Sequence, residues 1–248
     1  MLFRSALHLR AERLEAVAAL SASLAHEIRN PLASIRSSVE QLARVSREDP
    51  DERVLGDLIV RESDRLSRLL GEFLDFSRVR ASHLVTVEVR AVMRGAAQLV
   101  REHPDTGPGV EIAVEGEPAE VEADEDLLHR IGANLMLNAA QAMNGAGRID
   151  LLVDQPDPRD LQGASVSEIE YPVRLRVRDN GPGIDPDLMP RLFEPFVTGR
   201  PGGSGLGLAI VQRAVVALRG LVTVESAPGE GTTFTILLNG KRPREDGA

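Results

Sequence analysis

His26-Glu27-Ile28-Arg29-Asn30-Pro31-Leu32-Ala33-Ser34-Ile35 places an imidazole, a carboxylate and an amide within about one turn of what reads as a helix. Apolar residues Val17, Leu20, Leu24, Ile28, Leu32, Ile35, Val39 and Leu42 recur at spacings of three and four, which makes one continuous stripe. His26 lies two residues past Leu24, about 200° around the helix, so it faces away from that stripe. Glu27 can accept a hydrogen bond from one ring nitrogen, leaving the lone pair of the other free to act as a nucleophile. Asn30 follows one turn later on the same face. Pro31 cannot donate to the Glu27 carbonyl and crowds it, so the helix bends beside the histidine. Taken alone, His26 reads equally well as an incidental histidine on a solvated helix. The rest of the chain decides between the two.

Working outward, Ser46-Arg47-Glu48-Asp49-Pro50-Asp51 predicts a turn, and a second stripe runs through Leu55, Leu58, Glu62, Leu66, Leu69, Phe73 and Phe76. Two amphipathic helices alone leave too much apolar surface in water. Pairing two such hairpins as a four-helix bundle buries it, so the first domain, residues 1–82, implies a homodimer. From Leu84 the pattern changes to short β-like runs alternating with helices. Strands are expected at Leu84–Val89, Val110–Val114, Glu120–Glu122, Arg148–Val153, Val173–Arg178, Leu221–Ser226 and Thr232–Leu237, and helices at Ala91–Arg101, Asp124–Met143 and Leu206–Arg219. The expected architecture is an α/β sandwich over residues 83–240, with helices on one face of a mixed sheet. Residues 241–248 form a tail. Gln155–Glu168, with Pro156, Pro158 and Gly163, predicts an extended surface loop.

Three segments of this second domain carry chemistry. Asn134 and Asn138 lie one turn apart, so both amides project from one face of the 124–143 helix, among apolar Ile131, Leu135, Met136 and Leu137. A neutral amide oxygen suits Mg²⁺ beside a triphosphate, because it adds no negative charge. Asp179-Asn180-Gly181-Pro182-Gly183 breaks a strand with two glycines, and a carboxylate there can accept from an exocyclic amine. Gly202-Gly203-Ser204-Gly205-Leu206-Gly207 opens a helix, and its amides can cradle phosphates where the helix N-terminus favours negative charge.

In this order and spacing, the four segments resemble the phosphoacceptor, N and two glycine boxes of two-component sensor histidine kinases, over nearly the whole chain. The short Leu192–Thr198 stretch resembles the family's F box, and Gly229–Phe234 its last glycine box. The wording His-Glu-Ile-Arg-Asn-Pro-Leu is similar to the nitrogen-regulation subgroup. The resemblance implies a dimeric phosphotransfer hairpin followed by a Bergerat-type ATP-binding domain. It implies His26 as phosphoacceptor, with Glu27 and Asn30 as its catalytic neighbours, and ATP and Mg²⁺ as cofactors. Asn138 is then the Mg²⁺ ligand. Asn134, Arg130 and Gln141 line the phosphate side, Asp179 recognises adenine N6 with Gly181 and Gly183 shaping its turn, and Thr232 supports that aspartate. Thr198, with Gly199 to Gly203 and so Arg200, completes a short, mobile lid over ATP, and Gly203, Ser204, Gly205, Leu206 and Gly207 cradle the phosphates. A frequent version has Thr-Thr-Lys where this chain has Thr198-Gly199-Arg200, and arginine and lysine are not equivalent there. The implied activity is autophosphorylation followed by transfer to a response-regulator aspartate, with phosphatase activity toward that regulator. The competing readings are another ATPase of the same superfamily and a non-catalytic, ATP-binding dimeric scaffold.

Bulk properties fit without naming any of this. A net charge of −9 argues against nucleic acid, since no basic tract is present to neutralise phosphates. Zero cysteine excludes disulfides and thiolate metal sites and fits a reducing compartment. No run of about 18 apolar residues predicts a membrane segment within the chain. The expected location is the cytoplasm, either as a free protein or as the cytoplasmic part of a longer membrane-bound receptor.

Overall fold

The computed structural model describes residues 32–40, 50–157, 169–200 and 203–241. The first-helix stripe from Val17 to Ile28, its member Leu42, the Ser46–Asp49 part of the expected turn and most of the 155–168 loop lie outside them. The chain divides into two compact units between Arg78 and Val79.

In the first unit, residues 32–40 form helix α1 and Pro50–Ser77 form α2. Pro50 opens α2, where its missing N–H has no helical partner to lose. The two helices are joined by the Ser63 hydroxyl, which donates to the Leu32 carbonyl at 3.0 Å, and by an exposed Arg36–Asp64 ion pair. On α2 the most buried line runs through Gly56, Val60, Ser63, Ser67 and Leu70, a spacing of four, three, four and three. Of the expected second stripe, Leu69 and Phe73 are half-buried and Phe76 is buried, whereas Leu55, Leu58 and Leu66 are exposed in the single copy. Gly56, Ser63 and Ser67 carry no hydrophobic signal, so a periodicity reading passes over their part of this line.

The second unit begins with β1 (Val85–Glu88) and α3 (Val89–Glu102), whose first amides are capped by the Glu88 carboxylate. It continues with β2 (Gly109–Gly116), β3 (Glu120–Ala123), α4 (Glu125–Ala142), β4 (Ala146–Asp154) and β5 (Pro172–Asp179). After a 3₁₀ turn at Met189–Arg191 come α5 (Gly207–Ala217), β6 (Leu221–Ala227) and β7 (Gly231–Asn239). Five strands form one sheet in the order β2-β4-β5-β7-β6, parallel between β2 and β4 and antiparallel elsewhere. β1 and β3 form a separate two-stranded sheet, which the strand pattern alone does not distinguish.

Alternation along the strands sets the layering. Ile149, Leu151, Val153, Leu175, Val177, Phe234 and Ile236 point to the buried face, where α3, α4 and α5 supply Met93, Leu128, Ile131, Leu135 and Val211. The opposite face carries Arg148, Asp150, Arg174, Arg176 and Arg178, with Asp154 bridging Arg174 and Arg176. A mainly antiparallel sheet tolerates this arrangement because one of its faces can be solvated. Among the described residues, no helix is long and apolar enough to cross a membrane.

Candidate active site

His26, Glu27 and Asn30 lie outside the described residues, so the geometry below belongs to the second unit. Its foundation is α4. Asp124 precedes that helix in extended conformation and accepts from the amide of Leu127 at 3.3 Å, and also from the amides of Ser82 and His83. Ten and fourteen residues on, Asn134 and Asn138 sit half-buried on one face. Asn134 Nδ2 donates back to the Arg130 carbonyl at 2.8 Å. Asn138 Oδ1 accepts from Arg200 Nη2 at 2.9 Å, and its Nδ2 is buried without a hydrogen-bond partner.

The second glycine segment is laid over these amides. A Cβ on Gly207, the first residue of α5, would stand 3.1 Å from Asn134 Oδ1 and 3.2 Å from Asn138 Nδ2. A side chain at this position would press on both amides and shift them by a few tenths of an ångström. Gly205 has φ +68° and packs on the backbone of Phe196 and Val197, and its carbonyl accepts from the Phe196 amide at 2.9 Å. Ser204 Oγ accepts from the Leu206 amide at 3.2 Å, and Leu206 itself is fully buried. Thr198 Oγ1 accepts from the Arg200 amide at 3.1 Å, and a Cβ on Gly203 would press on that hydroxyl. No side chain caps the start of α5, so its leading amides remain available to an anion.

Asp179 ends β5 and is only 8% exposed. Its Oδ1 accepts from the Gly181 amide at 2.9 Å, and no cation pairs with it among the described residues. Burial pushes the Asp179 carboxyl above the usual carboxylate value, against the pull of the Gly181 and Thr232 amides. A buried carboxylate held only by amides has acceptor capacity left for a ligand's N–H group. Gly183 (φ +77°) and Gly231 (φ +85°) let the chain pass against the carbonyls of Ala227 and Asp179, where a Cβ would collide. The Thr232 hydroxyl faces Ser226 Oγ at 3.0 Å, so Thr232 reaches Asp179 through its main-chain amide. Met143, at the end of α4, lies beside Gly181.

The structure therefore gathers Asn134, Asn138, Arg200 and Gly207 at one place, and Asp179, Gly181 and Thr232 at another, with α4 running between them. Gln141 lies on the same helix, where its Nε2 donates to Asp105 Oδ2 at 3.0 Å. Two participants carry no sequence signal. Ser226 accepts from the Ile184 amide at 2.9 Å and so ties the Asp179 turn to β6, and Asp105 stands alone in a loop. The residues fit a Mg²⁺ delivered with phosphates. Asn138 carries one neutral oxygen of the kind Mg²⁺ takes, here accepting from Arg200, while its buried, unpartnered Nδ2 can donate to a phosphate oxygen, and no cluster of three acidic or imidazole ligands competes among the described residues.

Comparison with known proteins gives a consistent picture. Residues 16–82 match the model of the His Kinase A (phospho-acceptor) domain. Residues 123–242 match that of the histidine kinase-, DNA gyrase B- and HSP90-like ATPases. The chain is 34% identical over 235 residues to the signal transduction histidine-protein kinase AtoS of Escherichia coli, covering 92% of this chain and 36% of that protein. It is 36% identical over 220 residues to the sensory histidine kinase/phosphatase NtrB of Rhodobacter capsulatus, covering 87% and 60%. Across these two relatives the chain thus spans between about a third and three fifths of their length. Among solved structures, full-length ShkA in complex with AMPPNP aligns with a TM-score of 0.65 at 30% identity, over 89% of this chain and 45% of that one. A mycobacterial sensor histidine kinase, MprB, aligns at 0.52 and 30%, over 64% of this chain and 99% of that one. ThkA in complex with the response regulator TrrA shares the fold, with a TM-score of 0.62 at 24% identity, over 95% and 65%.

Proposed function

The chain belongs to the sensor histidine kinase family, and on that premise we propose that it transfers the γ-phosphoryl group of ATP to its own His26 and then to an aspartate of a response-regulator receiver domain. One observation carries the reading: α4 joins an amide-lined, arginine-covered end at Asn134, Asn138 and Gly207 to an acidic end where Met143 abuts Gly181 beside Asp179. From Asn138 to Met143 the helix rises about 7–8 Å. That spacing suits a ligand with phosphates at one end and an amine-bearing base at the other.

On this reading Asp179 accepts from the adenine amine, and the α5 amides and Arg200 neutralise the phosphates. Asn138 would hold Mg²⁺ through Oδ1, and the ion when bound would draw charge from the β- and γ-phosphates. One ring nitrogen of His26 attacks the γ-phosphorus. The new N–P bond forms as the bond to the bridging oxygen breaks and ADP leaves, while Glu27 holds the N–H on the other nitrogen. Such a reaction depends on positioning and charge neutralisation, which accounts for a site rich in amides and poor in acid/base groups. The reading places the protein in the cytoplasm, as a free kinase or as the cytoplasmic part of a longer receptor.

A second copy completes the hairpin unit: Leu55, Leu58, Ile59 and Leu66 on α2 are 43–59% exposed, an apolar face that a four-helix bundle would cover. Incubation with γ-labelled ATP tests the central claim. Acid-labile, base-stable label is expected on the native chain and none on His26→Gln, with nucleotide affinity changed by less than about two-fold. Undiminished label on the variant would remove His26 from the mechanism. Phosphatase activity is a further proposal. Asn30→Ala is expected to keep autokinase activity and lose dephosphorylation of the regulator, whereas Glu27→Ala loses about 10²-fold in autophosphorylation. Assays of both activities on each variant with one purified receiver domain check this, and equal losses in both variants refute the division.

A further inference from the structure

Asn180, between Asp179 and Gly181, takes no part in the proposed chemistry. It faces Arg148 across the ends of β5 and β4, one step past the last ladder pair, Ile149 with Asp179. The Asn180 amide donates to the Arg148 carbonyl at 3.2 Å, as a strand residue would. An antiparallel pair of this kind exchanges two main-chain bonds. Here the second goes to a side chain: the Arg148 amide donates to Asn180 Oδ1 at 2.8 Å. The side-chain oxygen stands in for the main-chain carbonyl, so the ladder gains one more pair while the main chain turns off into Gly181–Gly183. The same carboxamide lies where neighbouring parts of the site meet. A Cβ on Gly147 would stand 2.9 Å from Asn180 Oδ1 and run into Met143 Sδ. One on Gly181 would stand 3.2 Å from Met143 Cγ and 2.8 Å from Asp179 Oδ1.

We infer that Asn180 is a positioning residue for base recognition: its carboxamide clamps the Asp179–Gly181 turn to β4 and so fixes the direction of the Asp179 carboxylate. The inference rests on the nucleotide-site reading above, in which Asp179 accepts from the base. Asp179 Oδ1 is committed to the Gly181 amide at 2.9 Å, so a shift of Gly181 carries the carboxylate with it. Glycines give the turn its shape but no stiffness. Stiffness comes from β4, which is paired on both sides, with β2 and with β5. Asn180 is exposed, so the Arg148 amide can turn to water when the clamp is cut, and the loss falls on the geometry of the turn and not on the fold. The phosphate end at Asn138 and Gly207 makes no contact with this clamp.

The test is displacement of a fluorescent ATP analogue from the full chain by ATP and, separately, by GTP, with Mg²⁺ present. GTP carries a carbonyl where ATP carries the amine, so it cannot donate to Asp179 from that position. The native chain is expected to prefer ATP. Asn180→Ala is expected to raise the Kd for ATP about 5- to 10-fold and that for GTP by less than about two-fold, at an unchanged melting temperature. Asn180→Asp keeps an acceptor oxygen for the Arg148 amide and is expected to bind ATP within about two-fold of the native chain. Equal weakening toward both nucleotides, native ATP affinity in Asn180→Ala, or an Asn180→Asp as weak as the alanine variant each overturns the inference. If GTP displaces nothing from any variant, the ATP arm and the aspartate rescue decide. A native chain that binds ATP no more tightly than GTP, or binds neither, sinks the base-recognition reading of Asp179 itself and the inference with it.

Discussion

A carboxylate that is nearly out of reach of water and faces only main-chain amides ionises at a cost, and Asp179 is in that position. Its folded pKa is raised above the unfolded value. The sign follows: its contribution favours folding below the unfolded pKa and is lost as pH rises through the folded one. At neutral pH the ionised side chain therefore opposes folding, and recognition of an amine donor is the compensating use. Asp179→Asn keeps an oxygen for the Gly181 amide and removes the charge. It is expected to melt at or above the native temperature and to bind nucleotide about 10-fold or more weakly. Thermal unfolding and nucleotide titration check the two halves, and a variant that melts lower yet binds at full strength would reverse the assignment.

At the scale of elements, Asp124 does for the second unit what a cap does for one helix, and more. It accepts from Leu127 at the start of α4 and from the amides of Ser82 and His83, with the Ser82 hydroxyl a further donor at 3.2 Å. Burial pushes its carboxyl up, but these donors together hold it below the usual carboxylate value. A depressed folded pKa contributes stability that is present above the unfolded pKa and lost as pH falls through the folded one. Asp124→Ala is expected to cost about 1–3 kcal/mol at neutral pH and to flatten the loss of stability on acidification. Urea unfolding at neutral and acid pH measures both, and a variant as stable as the native chain at neutral pH would show the network to be idle. Because α4 carries Asn134 and Asn138, nucleotide affinity should weaken along with it.

For the whole molecule, the expected consequence of the hairpin is assembly. The buried line of α2 is made of Gly56, Ser63 and their neighbours, which leaves Leu55, Leu58, Ile59 and Leu66 facing outward. Leu58→Asp with Leu66→Asp is expected to convert a dimer into a monomer at micromolar concentration in sedimentation while nucleotide binding persists. A native chain that is already monomeric there would end the proposal. The second unit begins at Val79, and Ser82 and His83 are tied to Asp124. A fragment starting at Val79 should thus be monomeric, bind nucleotide and melt higher than one starting at Leu84, which lacks both ties.

Much of this was legible in the chain itself. Among the described residues of the second unit, periodicity and glycine placement located every strand and α-helix to within a few residues, though not the 3₁₀ turn at Met189–Arg191, because alternation with period two or 3.6 is a local property that burial of one face imposes. The helix bearing Asn134 and Asn138, and the glycine segments after β5 and before α5, were legible for the same reason. Other features depend on side chains distant in sequence meeting in space. Nothing local marks Asp105 as the partner of Gln141, or Ser226 as the tie to the Asp179 turn. Nor does it show β1 and β3 as a sheet of their own, or Arg200 resting on Asn138 across 62 residues of chain. Gly56 and Ser63 of the buried α2 line carry no hydrophobic signal, so their place in it came only from the structure. The sequence determined which elements form and which residue types they present, since those follow from neighbours along the chain. Only the tertiary structure decided which polar groups satisfy one another, since a hydrogen bond depends on distance in space and not on separation along the chain.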